Sequence, residues 1–217
     1  MCFSATASFV AGTALTAVGV VTIKKAKRKS ELPFAMIPLL FGLQQLTEGL
    51  VWLSFRFPAP LLNAVTTNVY SLFAFMLWPI FMPFAVRSLE TVPWRKKLLF
   101  FFQLIGLAVG AYFLFFHLQS PVTSQIINKS IVYSAPHFYY LLAIVFYFSA
   151  TCISTLFSSH KLVNLLGVLV IISAITTYRF YTVSFVSVWC FFAAILSFII
   201  FLFFIGKNFS WKWKLFS

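Results

Sequence analysis

Seven long apolar stretches, separated by short polar segments, run along the chain of 217 residues. A helix needs about 20 apolar residues to cross the hydrocarbon core of a bilayer, which is about 30 Å thick. The stretches cover residues 3–23, 33–54, 64–86, 98–118, 137–157, 162–177 and 183–205. They predict an all-α integral membrane bundle of seven transmembrane helices, forming a single domain over residues 1–217. Pro79 and Pro83 are expected to bend the third helix or end it early, because an interior proline removes a backbone hydrogen bond.

The composition excludes most other classes of protein. Apolar residues make up 62% of the chain and charged residues 9%, whereas a soluble domain has about 45–50% and about 25%. So few charges cannot cover a surface that faces water. A soluble globular domain and a disordered segment are therefore excluded, and the absence of a basic aromatic stripe outside the loops argues against nucleic acid as a partner.

The chain carries 16 lysines and arginines against three acidic residues, and their positions predict its orientation. With the N-terminus outside, 13 of the 16 fall on the cytoplasmic side, as the positive-inside rule requires. These are Lys24, Lys25, Lys27, Arg28, Lys29, Arg87, Arg95, Lys96, Lys97, Lys161, Lys207, Lys212 and Lys214. Because the positive charges follow the first apolar stretch, we interpret that stretch as a retained helix and not as a signal peptide.

Three segments carry a resemblance to a known family: MCFSATASF at residues 1–9, PLLFGLQQLTEGLVW at 38–52 and SVWCFFAAILS at 187–197. The chain resembles a family of short bacterial multipass membrane proteins of unknown function that open with MCFSA-x-ASF. The resemblance implies an integral protein of the bacterial inner (plasma) membrane and supplies no activity. Together with the charge count, it predicts a multipass protein with the N-terminus outside and the C-terminus in the cytoplasm.

Glu48 is the one acidic residue inside a predicted span, about 9 Å from the outer end of the second helix. A charged side chain at the bilayer centre costs about 2.5–3.5 kcal/mol on insertion scales. Gln44 and Trp52 lie four residues before and after Glu48 on the same helical face, with Gln45 beside them. This face is expected to line the bundle interior or a water-filled cavity. Glu48 is either a functional group or a protonated residue that bonds a neighbouring helix.

Other unusual polar residues also concentrate towards the outer side. His137 opens the fifth stretch there, and Arg179, in a turn predicted at 178–181, either pairs with Glu48 or reaches the interface. The residues that converge are Cys2, Gln44, Gln45, Glu48, Asn68, His137, Tyr140, Arg179, Ser184 and Cys190. They predict a polar pocket that opens outward.

Other residues of the chain have simpler expected roles. The small residues at spacing four in the first stretch (Ser8, Gly12) and those around Ser187 in the last predict close helix packing. Glu31 and Glu90 are expected to be solvated in the basic inner loops. Residues 119–136 are expected to form a polar loop.

Three classes of function stay open. The first is a metal or small-ligand site with enzymatic chemistry, in which Glu48 and His137 act catalytically. Its metal ligands would be Cys2, Glu48, His137 and Cys190, a mixed set that suits zinc or copper, and its ligand-binding residues Gln44, Gln45, Trp52, Asn68, Tyr140, Arg179 and Ser184. The second is a transporter or channel subunit that uses Glu48 as a cation or proton site. The third is a structural or sensory partner protein without a ligand.

Residue identity excludes several specific alternatives. The last span holds no interior lysine for retinal, and the chain contains no His-x-x-x-His pair, no Cys-x-x-Cys pair and no Gly-x-Ser-x-Gly motif. The expected partners are the lipid bilayer and either a second copy of the chain or another membrane protein. The sequence leaves open the substrate, the oligomeric state and whether Met1 is removed.

Overall fold

A computed structural model describes residues 4–135 and 141–208. The helices within these residues are α1 Ala5–Lys25, α2 Leu32–Arg56, α3 Pro60–Ser71, α4 Trp78–Leu89, α5 Pro93–Gln119, α6 Leu141–Phe148, α7 Ser154–Leu156, α8 Lys161–Phe180, α9 Phe185–Leu196 and α10 Phe198–Asn208. A 3₁₀ turn at Lys29–Glu31 precedes α2, and π-helical segments at Leu72–Leu77 and Ser149–Ile153 join α3 to α4 and α6 to α7. Two antiparallel strands, β1 Thr123–Ile127 and β2 Ser130–Ser134, form a hairpin.

Six helical stretches in the described residues are long and apolar enough to cross a membrane. They are Ala5–Lys25, Lys29–Arg56, Pro60–Leu89, Pro93–Gln119, Lys161–Phe180 and Phe185–Gly206. A shorter apolar helix spans Leu141–Leu156. These elements agree with the predicted all-α membrane bundle.

Small residues bring α1 and α2 into close contact. A Cβ atom added to Gly19 would lie against the backbone of Leu39, and one added to Gly12 would meet the backbone and side chain of Leu46. Ser8 and Gly12 are both buried on this face. The predicted packing role of the small-residue face is therefore confirmed.

Pro79 and Pro83 were expected to bend the third long stretch or to end it early, and the structure shows that they do not end it early. It continues to Leu89, with the π-helical segment Leu72–Leu77 directly before α4 and Pro79 in the first turn of α4. Pro83 lacks the amide that would bond the Pro79 carbonyl in a regular helix. That carbonyl lies against Gly106 of α5, where any larger residue would collide with it.

The buried apolar side chains form two clusters along the length of the bundle. One includes Val51, Phe113 and Trp189, and the other includes Phe41 and Phe204. The polar positions of α2 fall between Phe41 and Val51. The bundle therefore has a polar layer between two apolar layers.

The structure corrects two expectations about connecting segments. Within the segment expected to be a polar loop, residues 123–134 form the β-hairpin, and Asn128 and Lys129 form its two-residue turn with positive φ angles of 48° and 61°. Helix α8 runs through Phe180, so the turn predicted at 178–181 comes later.

Glu31 and Glu90 are buried and not solvated as expected. Glu31 Oε2 accepts a hydrogen bond of 3.0 Å from the backbone amide of Lys27. Glu90 accepts hydrogen bonds from the amide and the hydroxyl of Ser159, at 2.7 and 3.0 Å. Each carboxylate accepts hydrogen bonds from the backbone amides of a tight loop. Because buried amides need a partner, the carboxylates lie against these loops and not in solvent.

Candidate functional site

Glu48 lies at the centre of the polar layer and is completely buried. Its Oε1 accepts a hydrogen bond of 2.5 Å from the hydroxyl of Ser187 on α9. Its Oε2 has no hydrogen-bond partner among the described residues. The carboxyl thus joins α2 to α9 through one oxygen and presents the other to the interior.

Three further side chains surround this carboxyl. Gln45 and Tyr70 lie within interaction range of it. The Cys190 thiol, one helical turn after Ser187, lies within range of Glu48 and Tyr70. Helices α2, α3 and α9 therefore contribute to one cluster, which we call the Glu48 cluster: Gln44, Gln45, Glu48, Tyr70, Ser187 and Cys190.

Gln44 connects the Glu48 cluster to an aromatic pair. Its Oε1 accepts a hydrogen bond of 2.7 Å from the indole nitrogen of Trp78 on α4. The Trp78 ring stacks on Phe41 with 3.8 Å between ring centroids. The bond to Trp78 fixes the Gln44 amide with its oxygen towards the indole, and Gln44 also lies within range of the Cys190 thiol.

A cavity of about 40 Å³ adjoins the Glu48 cluster at Cys190, and Trp78, the partner of Gln44, also lines it. This volume holds roughly three or four water molecules at about 10–15 Å³ each. The lining residues are Ile37, Phe41, Trp78, Met82, Tyr147, Thr151, Leu166, Val170, Trp189, Cys190, Ala193 and Ser197. The cavity is mostly apolar, with a thiol and three hydroxyl-bearing side chains in its wall.

Several polar atoms on this face of α2 have no hydrogen-bond partner within the described residues. They are Gln44 Nε2, both amide atoms of Gln45, Glu48 Oε2 and Trp52 Nε1. Buried polar groups in proteins are nearly always bonded, and an unsatisfied one costs about 1–3 kcal/mol. These atoms lie in successive turns of one helix, which makes this face of α2 the candidate site.

The remaining residues of the predicted site are more dispersed. Ser184 is buried at the start of α9, one turn from Ser187, and Trp52 is half-buried one turn from Glu48. Asn68 is half-buried and donates a 2.7 Å hydrogen bond to Ala64 of its own helix. Arg179 is exposed and does not pair with Glu48. The predicted residues Cys2, His137 and Tyr140 lie outside the described residues.

Sequence reasoning missed three members of this arrangement. Ser187 was expected only to pack helices, although its spacing of three from Cys190 places both on one face of α9. Tyr70 belongs to the polar outer end of the third stretch, but neither it nor Trp78 had a sequence signal that pointed to a contact with α2, because a single aromatic residue in an apolar helix is ordinary. Their roles arise from contacts with α2 that only the tertiary structure shows.

The described residues contain no group of three or more histidine, cysteine, aspartate or glutamate side chains that could hold a metal ion. Of the four predicted metal ligands, Glu48 and Cys190 lie within range of each other. The other two, Cys2 and His137, are not among the described residues.

Comparison with known proteins places the chain in a family. A family described as "Family of unknown function (DUF6629)" matches residues 1–213. The chain belongs to this family. No curated protein and no solved structure matches the chain. The DUF6629 match includes every residue of the Glu48 cluster, so the cluster lies within the family domain.

Proposed function

We propose that the chain is a seven-span protein of the bacterial inner membrane, a transporter or channel subunit that binds a proton or a small cation at Glu48. The N-terminus lies outside and the C-terminus in the cytoplasm, which the charge count supports. The shorter apolar helix Leu141–Leu156 belongs to the fifth of seven spans in this proposal. Glu90 of the α4–α5 loop bonds Ser159 before α8, so two of the basic loops lie at one end of the bundle.

The observation that carries the proposal is the burial of Glu48 with only one bonded oxygen. No lysine or arginine of the described residues is among the groups that interact with its carboxyl. A charge without an opposite charge beside it costs several kcal/mol at this depth, and neutral groups such as the Ser187 hydroxyl, the Gln45 amide and the Tyr70 hydroxyl do not offset that cost. The carboxyl is therefore neutralised by a bound proton or by a cation.

The surrounding groups support a small occupant. Glu48 Oε2 and Gln45 Oε1 are acceptors without partners among the described residues, and they stand one turn apart on α2. The adjoining cavity of about 40 Å³ has room for water molecules but not for a large substrate. A proton, with or without accompanying water, or a small monovalent cation fits these limits.

Infrared difference spectroscopy of the purified protein in lipid nanodiscs tests the proposal. A pH jump is expected to change the C=O stretching band of a buried carboxyl, and this band should disappear in Glu48→Gln. Glu90→Gln is the matched control and should keep the band, because Glu90 lies in a loop and is bonded by backbone amides. A spectrum that is the same in wild type and Glu48→Gln would overturn the proposal. Repeating the jump with Na⁺ or K⁺ at fixed pH separates cation binding from proton binding.

Ion movement is tested separately in proteoliposomes that contain a pH-sensitive dye. The wild-type protein should dissipate a proton or cation gradient faster than Glu48→Gln, and Glu90→Gln should behave as wild type. Equal rates for wild type and Glu48→Gln would contradict the transport part of the proposal.

A metal site is the second candidate, and the proximity of the Cys190 thiol to Glu48 favours it. In this alternative Cys2 and His137 complete a site for zinc or copper. Metal analysis of the purified protein should then find about one ion per chain, lost in Cys190→Ala and retained in Cys152→Ala. Cys152 is a suitable control because it is equally buried in another helix. Metal-free wild-type protein would exclude this candidate.

A further inference from the structure

The β-hairpin inserts into one end of the bundle. Ile131 is completely buried, Tyr133 is 2% exposed, and both belong to the apolar cluster that contains Val51. Strand β1 contacts α3, and β2 contacts α9. A hairpin that only connected α5 to α6 would not place its side chains in the core.

Polar contacts fasten the hairpin to the helix ends. The hydroxyl groups of Ser124 on β1 and Thr67 on α3 lie 2.7 Å apart. Asn63 Nδ2 donates hydrogen bonds to Ser124 Oγ at 3.1 Å and to Ser54 Oγ at 2.9 Å. Four side chains from α2, α3 and β1 therefore form one hydrogen-bonded group at this end of the bundle.

An aromatic pair links the hairpin to the Glu48 cluster. The rings of Tyr133 and Tyr70 stack with centroids 4.3 Å apart and an interplanar angle of 8°. Tyr70 is completely buried and lies within interaction range of both Glu48 and Cys190. Tyr133 thus holds the side chain that covers the carboxyl on the hairpin side.

Glu48 also lies closer to the hairpin end of α2 than to its other end. Eight residues separate Glu48 from the end of α2 at Arg56, which is about 12 Å along the helix, whereas 16 separate it from Leu32, about 24 Å. On the longer side the second apolar cluster, with Phe34 and Phe41, fills the interior.

We propose that the hairpin is the lid of the Glu48 site and that Tyr133 is a positioning residue, which holds Tyr70 against the carboxyl. The inference rests on the proposed role of Glu48 as the binding group. An ion or water molecule reaches Glu48 when the hairpin moves and the tyrosine stack separates. The lid is fastened by the hydrogen bonds of Ser124 with Thr67 and Asn63, which must break when it opens.

The rate at which N-ethylmaleimide alkylates Cys190 reports the opening of the lid. Cys2→Ser and Cys152→Ser are introduced first, so that Cys190 is the sole remaining cysteine of the sequence. Tyr133→Ala is expected to raise the rate at least tenfold, whereas Tyr133→Phe keeps the ring and should leave it unchanged. Equal alkylation rates in the Cys190-only parent, Tyr133→Ala and Tyr133→Phe would overturn the proposal that the hairpin is a lid.

A disulfide lock provides a test that does not depend on a destabilised variant. Thr67→Cys with Ser124→Cys places two thiols where the hydroxyl oxygens lie 2.7 Å apart. Mass spectrometry of the Cys190 peptide should show slower alkylation when the pair is oxidised and recovery when it is reduced. An unchanged rate on oxidation would overturn the proposal.

The positioning role of Tyr133 has a spectroscopic test. Tyr133→Ala should shift the carboxyl band assigned to Glu48, and Tyr133→Phe should restore its position. A band that stays in place in Tyr133→Ala would contradict the positioning role. Alkylation of Cys190 does not require ion binding. The alkylation experiments therefore test the lid separately from the Glu48→Gln experiments, which test the role of Glu48 as the binding group.

Discussion

The hydroxyl of Ser187 donates a hydrogen bond of 2.5 Å to Glu48 Oε1 across 139 positions of the sequence. This contact joins α2 to α9 within the Glu48 cluster. It also makes the carboxyl sensitive to the relative position of the two helices. A change in the charge of Glu48 is therefore a change in the strength of an interhelical bond.

Ser187→Ala is expected to destabilise the bundle by about 0.5–2 kcal/mol, the range for interhelical hydrogen bonds in membranes. The variant leaves Glu48 Oε1 buried without its donor. Reversible unfolding in mixed detergent micelles measures the change.

Ser197→Ala is the control for that variant, because the Ser197 hydroxyl bonds only the Ala194 carbonyl of its own helical segment. Ser197→Ala should lower the free energy of unfolding clearly less than Ser187→Ala does. Equal losses in the two variants would show that the bond to Glu48 contributes nothing particular.

Glu90 predicts a dependence of stability on pH. Burial tends to raise the pKa of this carboxyl, but hydrogen bonds from Val92, Ser159 and Thr91 outweigh it and hold the pKa below its usual value. A lowered pKa in the folded state stabilises the protein above the usual glutamate pKa, near 4.3. That contribution is lost as the pH falls through the lowered pKa of the folded state.

Thermal unfolding from pH 7 to pH 3 measures this contribution. The wild type should lose stability on the acid side of pH 5, and Glu90→Gln should lose less over the same range. At pH 7 the variant should be the less stable protein, because its amide cannot accept all four bonds. Identical pH profiles for the two proteins would refute the assignment to Glu90.

The sequence was sufficient to predict the long apolar helices and the buried polar face of α2. Period and length alone identify α1, α2 and α5, since a bilayer admits few alternatives to a helix of about 20 apolar residues. The burial of Gln44, Gln45 and Glu48 followed from their spacing on one face and the cost of exposing them to lipid.

Contacts between distant segments were not predictable in the same way. Glu90 was expected in solvent because its neighbours are basic, yet its partners are backbone amides brought close by folding. The hairpin did have a local signal, two β-branched runs around Asn128 and Lys129, which the larger hydropathy pattern concealed. The stack of Tyr133 on Tyr70 had none, because it depends on where the hairpin docks.

Glycine substitutions test the close helix contacts. Gly19→Ala would place a methyl group against the backbone of Leu39, and Gly106→Ala would place one against the Pro79 carbonyl. Because neither backbone can yield easily, each substitution should cost about 1–3 kcal/mol. Thermal unfolding in detergent measures both.

Gly206→Ala is the matched control for these two variants. Among the described residues, no atom outside its own helix backbone lies within 4 Å of the added methyl group, so helix propensity decides the effect, and the change should be neutral or stabilising by about 0.5–1 kcal/mol. Losses of similar size at all three glycines would argue against the helix contacts.

Lys129 offers a way to strengthen the hairpin without touching the Glu48 cluster. It is exposed and has a φ of 61°, a left-handed conformation that costs most L-residues about 1–2 kcal/mol. Glycine adopts this conformation readily, so Lys129→Gly should stabilise the hairpin by about 0.5–1 kcal/mol after its own entropy loss. Hydrogen exchange at the amides of residues 123–134 should become slower. Lys129→Ala removes the same charge but keeps the backbone penalty, and it should give no such protection; equal protection in the two variants would mean that charge and not backbone conformation limits the hairpin.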